Sequence, residues 1–297
     1  PKMEDVRVPD PDEVKKEIQE KYPEHAAFTS ELIPKLGLAP QPPDRKSWVK
    51  TPKATREQLQ VIHEEKVPIL IIGLGDTAEV VPLAHERGIK VMALAGAVKH
   101  ALSHARKGAD VIIAQGYEAG GHTGTIGNFP LIPQIVDAVK PLPVVAAGGI
   151  SDGRGVAAAL ALGAVGVWCG TAFLVTDECG IHSAYKKQIL NGSSEDFVRT
   201  AYTSGHFARH YRSDVIKAWI DSGLEAMPTP YQGAAMDEIR RAAEAADRTE
   251  VLHVPGGQVA GMLSQDKSAK PARIIVERMV DEAAQILNSI RSRYVGA

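Results

Sequence analysis

The sequence predicts an α/β fold of (β/α) repeats on a parallel sheet, and three observations predict it. Short apolar runs without polar alternation recur from Val67 onward, as in strands buried on both faces. Helix-patterned stretches separate them, with start-to-start intervals of about 20 residues for most units. Gly88, Gly108 and Gly163 each sit between helix and strand, the place of a helix C-cap glycine. This spacing suits a TIM-type (β/α)8 barrel, with a doubly wound sheet as the competing architecture.

Taken in order, residues 1–60 are polar and proline-dotted. Asp10-Pro11-Asp12-Glu13 resembles a helix start, its acidic residues suited to the positive end of the helix dipole. Helices are expected over 13–22 and 25–36, followed by an extended connection over 37–52. Strands are expected over 67–72, 89–95, 111–115, 144–147 and 165–169. The helices between them fall at 78–87, 98–107, 131–139 and 156–162. Between Cys179 and Gly257 the repeat gives way to helices and Pro/Gly-rich connections, a mainly helical insertion or second small domain. Over 272–290, Ile274, Ile275, Met279, Ala283, Ile286 and Leu287 recur at helical spacing, so a C-terminal amphipathic helix is expected to pack on the barrel.

The chain thus divides into an N-terminal helical segment (1–60), a partial barrel (61–180), a helical lid or insertion (181–260) and a C-terminal helix (261–297). Five strands do not close an eight-stranded barrel, and open edges are costly. Either three strands lie unrecognised in the first 60 residues or they are missing from this chain, and the composition there favours the second.

At 297 residues and 31.8 kDa the chain is long enough for a sizeable core. A formal net charge of −2 lacks the electrostatic footprint of a nucleic-acid binder. The two cysteines, Cys169 and Cys179, exclude a disulfide-rich scaffold and suit a reducing cytosol. No apolar run approaches ~18 residues, and Pro1–Asp5 carries no signal-peptide pattern. A cytoplasmic protein with neither nucleic-acid nor membrane partners is the expectation.

Chemistry gathers in three glycine-bearing segments at strand ends. The first runs Gln115-Gly116-Tyr117-Glu118-Ala119-Gly120-Gly121-His122-Thr123-Gly124; the others are Gly148-Gly149 and Gly170-Thr171. Glycine lets peptide N–H groups turn toward an anion, so the two later segments read as a phosphate cradle, to which the Thr171 hydroxyl adds a donor. The plainer alternative is a pair of tight turns. Asp152 is assigned as the N-cap of the next helix. Gln115 offers a donor and an acceptor together, which suits the edge of a heterocycle such as a flavin, or else satisfies loop backbone. His122, with glycine before and just after it, is the candidate base or anion partner. His100 and His104 stand i,i+4 on one helix, but no third metal ligand is evident. His182, His206 and His210 carry no such pattern, and a nucleophile reading of Cys169 lacks a base.

At these residues the sequence resembles the nitronate monooxygenase family, FMN-dependent flavoproteins of TIM-barrel fold. The match runs through 114–124, 143–155, 157–163 and 170–173, and less specifically through 202–219 and 257–261. The resemblance implies that this chain supplies strands 4 to 8 and that a preceding segment or second chain completes the barrel. It implies FMN phosphate binding by Gly148, Gly149, Gly170 and Thr171, and a Gln115 contact with the ring. Gly120 and Gly121 would let flavin and substrate approach, and His122 would face the substrate. The implied reaction oxidises an alkyl nitronate, with O2 as partner, to a carbonyl compound and nitrite. An NAD(P)H-dependent quinone or enoyl-ACP reductase shares these motifs. A non-catalytic flavin-binding subunit and a flavin-free sugar-phosphate isomerase stand as further alternatives.

Overall fold

The computed structural model describes residues 10–42, 52–73, 75–266 and 270–295. Three helices come first: α1 (Pro11–Lys21), α2 (Pro23–Lys35) and α3 (Pro52–Glu64). The repeats follow as β1 (Ile69–Ile72), α4 (Val80–His85), β2 (Lys90–Ala95), α5 (Val98–Arg106) and β3 (Val111–Gln115). They continue through α6 (Asn128–Val139), β4 (Val144–Ala147), α7 (Gly153–Ala161) and β5 (Gly166–Trp168). Beyond lie α8 (Thr171–Leu174), α9 (Ser183–Asn191), β6 (Phe197–Thr200), β7 (Ala208–Tyr211) and α10 (Asp214–Ser222). The chain closes with α11 (Tyr231–Ala245), α12 (Ala260–Asp266) and α13 (Ala272–Ile290). Contacts divide the chain into two compact units, one of residues 1–65 with 198–254 and one of residues 66–197 with 255–297.

The second unit holds the sheet. Its strands are all parallel and lie in the order β1-β2-β3-β4-β5. Doubly wound sheets reverse their order at a switch point. Here the order never reverses, so the sheet winds in one direction as barrel strands do. The centre is dry: Val91, Ala93, Ala95, Ile112, Ile113, Ala114 and Ala146 have no exposed surface. That is why these runs show no polar alternation in the sequence. The three C-cap glycines have left-handed φ of 71°, 88° and 95°. Asp152 caps α7 as expected, its side chain accepting from the N–H groups of Arg154 and Gly155 at 3.0 and 3.2 Å. The helix expected at 272–290 is α13, and it packs on α7 so closely that a Cβ on Gly153 would stand 2.3 Å from Glu282. At the far end of the sheet, Asp110 takes hydrogen bonds from Lys90, the Val91 N–H and His85.

The first unit is built on helix packing. Asp10 caps α1 through the Asp12 N–H, with Pro11 at the first helical position. α1, α2 and α11 pack together around Val14, Ile18, Ile33 and Ile239. Trp219 of α10 is fully buried, stacked on Tyr202 at 5.6 Å and tilted against Phe28 at 4.6 Å. The N-terminal helices and most of the segment read as an insertion therefore share one unit. β6 and β7 pair within the stretch expected to be mainly helical, and α3 adds a helix ahead of the first strand where no particular element was placed from the sequence. The extended connection expected over 37–52 falls, for residues 43–51, outside the described residues.

Candidate functional site

The C-terminal ends of β3, β4 and β5 surround a cavity of about 430 Å³ within the second unit, a size typical of ligand sites. Gln115, Gly120, Gly121, His122, Gly148, Gly149, Gly170 and Thr171 all line it. The eight positions come from three separate stretches of sequence. Parallel strands bring them together because each strand delivers its following loop to the same end of the sheet. Leu94, Ile150, Leu174, Val259 and Trp168 supply the apolar wall.

Gly148 and Gly149 form the tightest turn, with φ of 88° and 70°. A Cβ on Gly148 would stand 2.8 Å from the Cβ of Ala119, so the turn is seated directly on the histidine-bearing loop. Among the described residues, no backbone carbonyl accepts from the N–H groups of Gly148, Gly149 or Gly170. A side chain added at Gly170 would meet nothing within 4 Å. Among the described residues lining the cavity there is no Lys, Arg, Asp or Glu. An anion here meets backbone dipoles and an imidazole rather than a fixed side-chain charge.

The loop after β3 is held from several sides. Gln115 donates from Nε2 to the His122 carbonyl at 2.9 Å, and the Thr123 hydroxyl donates to the Gly116 carbonyl at 2.8 Å. Gln115 therefore satisfies loop backbone, the alternative weighed for it in the sequence, while still lining the cavity. Gly120 has a packing reason of its own: a Cβ there would stand 2.5 Å from the Gly256 carbonyl carbon. Gly121 is different, left-handed at 69° with open space around it. The His122 residue is exposed.

Thr171 is buried, and its hydroxyl oxygen accepts from the Gly257 N–H at 2.9 Å. The hydroxyl proton still has a direction open to it. Gly257 also packs on the Glu118 carbonyl, and the Gln258 N–H donates to that carbonyl at 3.0 Å. The 255–258 segment is thus a fourth wall of the site. Its Gly256-Gly257 pair is the only local sign of this, since both contacts span over 80 residues of chain. Cys169 lines the cavity as a free thiol whose pKa burial pushes up to about 11, which keeps it protonated and a poor nucleophile.

The remaining histidines lie elsewhere. His104 faces the Thr77 hydroxyl at 3.2 Å, His100 is exposed, and His182 caps α9. His206 is exposed in the first unit. His210 is buried there beside His253, with ring centroids 5.0 Å apart. No group of three or more His, Cys, Asp or Glu side chains suited to a metal occurs among the described residues. None of their helices is long and apolar enough to cross a membrane.

Comparison with known proteins shows the family of the chain. A Mycobacterium tuberculosis protein named for a monooxygenase activity is 36% identical over 290 residues, covering 91% of this chain and 76% of that one. The nitroalkane oxidase of Streptomyces ansochromogenes superposes with a TM-score of 0.74 at 27% identity, covering 90% of this chain and 78% of its own. FabK from Thermotoga maritima gives a TM-score of 0.70 at 33% identity, covering 80% and 74%. The family model for nitronate monooxygenase matches residues 26–282. With its singly wound parallel sheet and its site at the strand ends, the chain belongs to the nitronate monooxygenase family of flavin-dependent oxidoreductases.

Proposed function

We propose that this chain oxidises alkyl nitronates, with FMN as electron carrier and O2 as acceptor, to a carbonyl compound and nitrite. The observation that carries this reading is the meeting of His122 with the Gly148-Gly149 and Gly170-Thr171 turns around one cavity whose described lining residues carry no fixed side-chain charge. Bound there, FMN supplies the redox chemistry between substrate and O2.

The residues fit such a group. The N–H groups of Gly148, Gly149 and Gly170 and the Thr171 hydroxyl would hold the phosphate, since among the described residues none of those N–H groups is spent on a backbone carbonyl. Gln115 offers its amide to the ring edge, and Gly120 and Gly121 keep side-chain bulk out of the space between ring and substrate. His122 holds the anionic nitronate when protonated, or takes the proton from the carbon bearing the nitro group of a neutral nitroalkane when neutral. The apolar wall of Leu94, Leu174 and Val259 suits an alkyl substituent and excludes water.

Two context proposals accompany this. The sheet ends at β1 and β5, where Ile69, Ile71, Val165 and Trp168 are exposed. Apolar edges of this kind call for cover, and we read them as the places where strands of a preceding segment or a second chain complete the barrel. The free cysteines favour operation in the cytoplasm.

The test is anaerobic. Protein reconstituted with FMN should bleach on mixing with propyl-2-nitronate and recover colour on admitting air, with nitrite formed. A second reading is an NAD(P)H-dependent reductase of quinones or enoyl-ACP, and the likeness to FabK favours its enoyl form. Rapid bleaching by NADH with none by the nitronate would select that reading. A protein that takes up no FMN would remove both.

A further inference from the structure

We propose that Asn128 is a positioning residue that aims the Gly149 N–H into the cavity, and that Glu118 holds Asn128 in place. This rests on the FMN reading of the site. Asn128 opens α6 and does not line the cavity itself. Its backbone N–H is held by both carboxylate oxygens of Glu118 at 3.1 Å, and its side-chain Nδ2 donates to the Gly148 carbonyl.

Peptide planarity turns that contact into a directional device. In a trans peptide the C=O and the following N–H point in opposite directions. Anchoring the Gly148 carbonyl on Asn128 therefore points the Gly149 N–H away from Asn128. Gly149 lines the cavity, and no backbone carbonyl takes its N–H among the described residues.

The surroundings leave the anchor little room. A Cβ on Gly116 would stand 2.1 Å from Asn128 Oδ1, so the start of α6 is seated directly on the end of β3. On the other side, a Cβ on Gly149 would stand 3.1 Å from the Glu118 Cβ and 3.4 Å from Asn128 Nδ2. Glu118, Asn128 and the turn form one interlocked group in which a single side-chain donor decides which way a flexible diglycine peptide faces.

The experiment measures FMN and riboflavin binding separately, because only FMN carries the phosphate. Asn128→Ala removes the donor. Asn128→Asp sets an acceptor against the Gly148 carbonyl and favours the flipped peptide, and pairing it with Glu118→Gln relieves the added like charge. Each should weaken FMN binding about tenfold or more while riboflavin binding stays within about twofold and the apoprotein still melts cooperatively. Glu118→Gln alone keeps an acceptor for the Asn128 N–H and should stay near wild type; Glu118→Ala should follow Asn128→Ala. FMN affinity unchanged in the folded Asn128 variants, or equal losses for FMN and riboflavin, would overturn the proposal. If the wild type binds neither flavin, the FMN reading fails by itself. The ligand-free crystal structure of Asn128→Asp then decides: a flipped Gly148–Gly149 peptide supports the positioning role, and a retained one ends it.

Discussion

Gln115 and His122 stand seven residues apart in sequence, yet the Gln115 amide donates to the His122 backbone carbonyl at 2.9 Å. The bond closes the loop on the strand that launches it, so the position of the imidazole is set by the sheet rather than by the loop alone. Gln115→Leu keeps the bulk and deletes the bond. It should lower kcat/KM about tenfold or more through misplacement of His122, with a smaller change in FMN affinity. Steady-state kinetics at saturating FMN checks this, and an unchanged kcat/KM would make the bond incidental.

His122→Ala should lower turnover about a hundredfold or more and leave FMN bound. Flavin absorbance at equal protein concentration reports the second half of that statement, and nitrite release reports the first. Turnover equal to wild type would remove His122 from the reaction.

The two glycines before His122 should differ in kind. At Gly120 an added Cβ meets backbone at 2.5 Å, so Gly120→Ala must move the 255–258 segment and should cost about 2–4 kcal/mol. At Gly121 space is open and only the left-handed φ of 69° resists, so Gly121→Ala should cost about 1–2 kcal/mol. Chemical denaturation separates the two. Equal costs would mean that the Gly256 contact yields easily.

Acid should loosen the first unit, while neutral pH leaves it at full stability. Burial, together with the neighbouring charges of His253 and Arg209, lowers the pKa of His210 to about 3, and burial lowers that of His253 to about 4. Unfolded histidines titrate near 6.5. Between these values the unfolded chain binds more protons, so stability is full above about pH 6.5 and falls as the pH drops toward 4 and 3. The loss at pH 5 is up to about 2 kcal/mol for each histidine. Thermal melts at pH 7 and pH 5 measure it, and His253→Gln should remove roughly half of the difference. A melt that is flat across this range would contradict the lowered pKa values of the two histidines.

Legibility in the sequence followed burial. β3 and β4 are buried on both faces and β2 is buried on one and half-buried on the other, so their apolar runs stand out, and 111–115 and 144–147 match the observed strands end for end. β6 and β7 were invisible because Phe197-Val198-Arg199-Thr200 and Ala208-Arg209-His210-Tyr211 are short and carry polar residues. The buried His210 and Arg209 read as surface residues in isolation. Within the site, the glycines and His122 were legible because their local pattern is rare. Asn128 and Glu118 were not, since their significance lies in bonds reaching 10 and 20 residues along the chain. Gly120 was read as making room for a ligand, and the structure gives it a second duty against Gly256.

The uncharged lining of the cavity has a consequence for kinetics. With no Lys, Arg, Asp or Glu among the described lining residues and the Cys169 thiol held up to about 11, His122 is the described lining side chain of a type able to change charge near neutrality. Any bend in the rate profile near neutral pH then has two candidate sources, the imidazole and the substrate's own carbon acid. A series of nitroalkanes of graded acidity separates them, because the substrate's bend moves along the series while the protein's stays fixed.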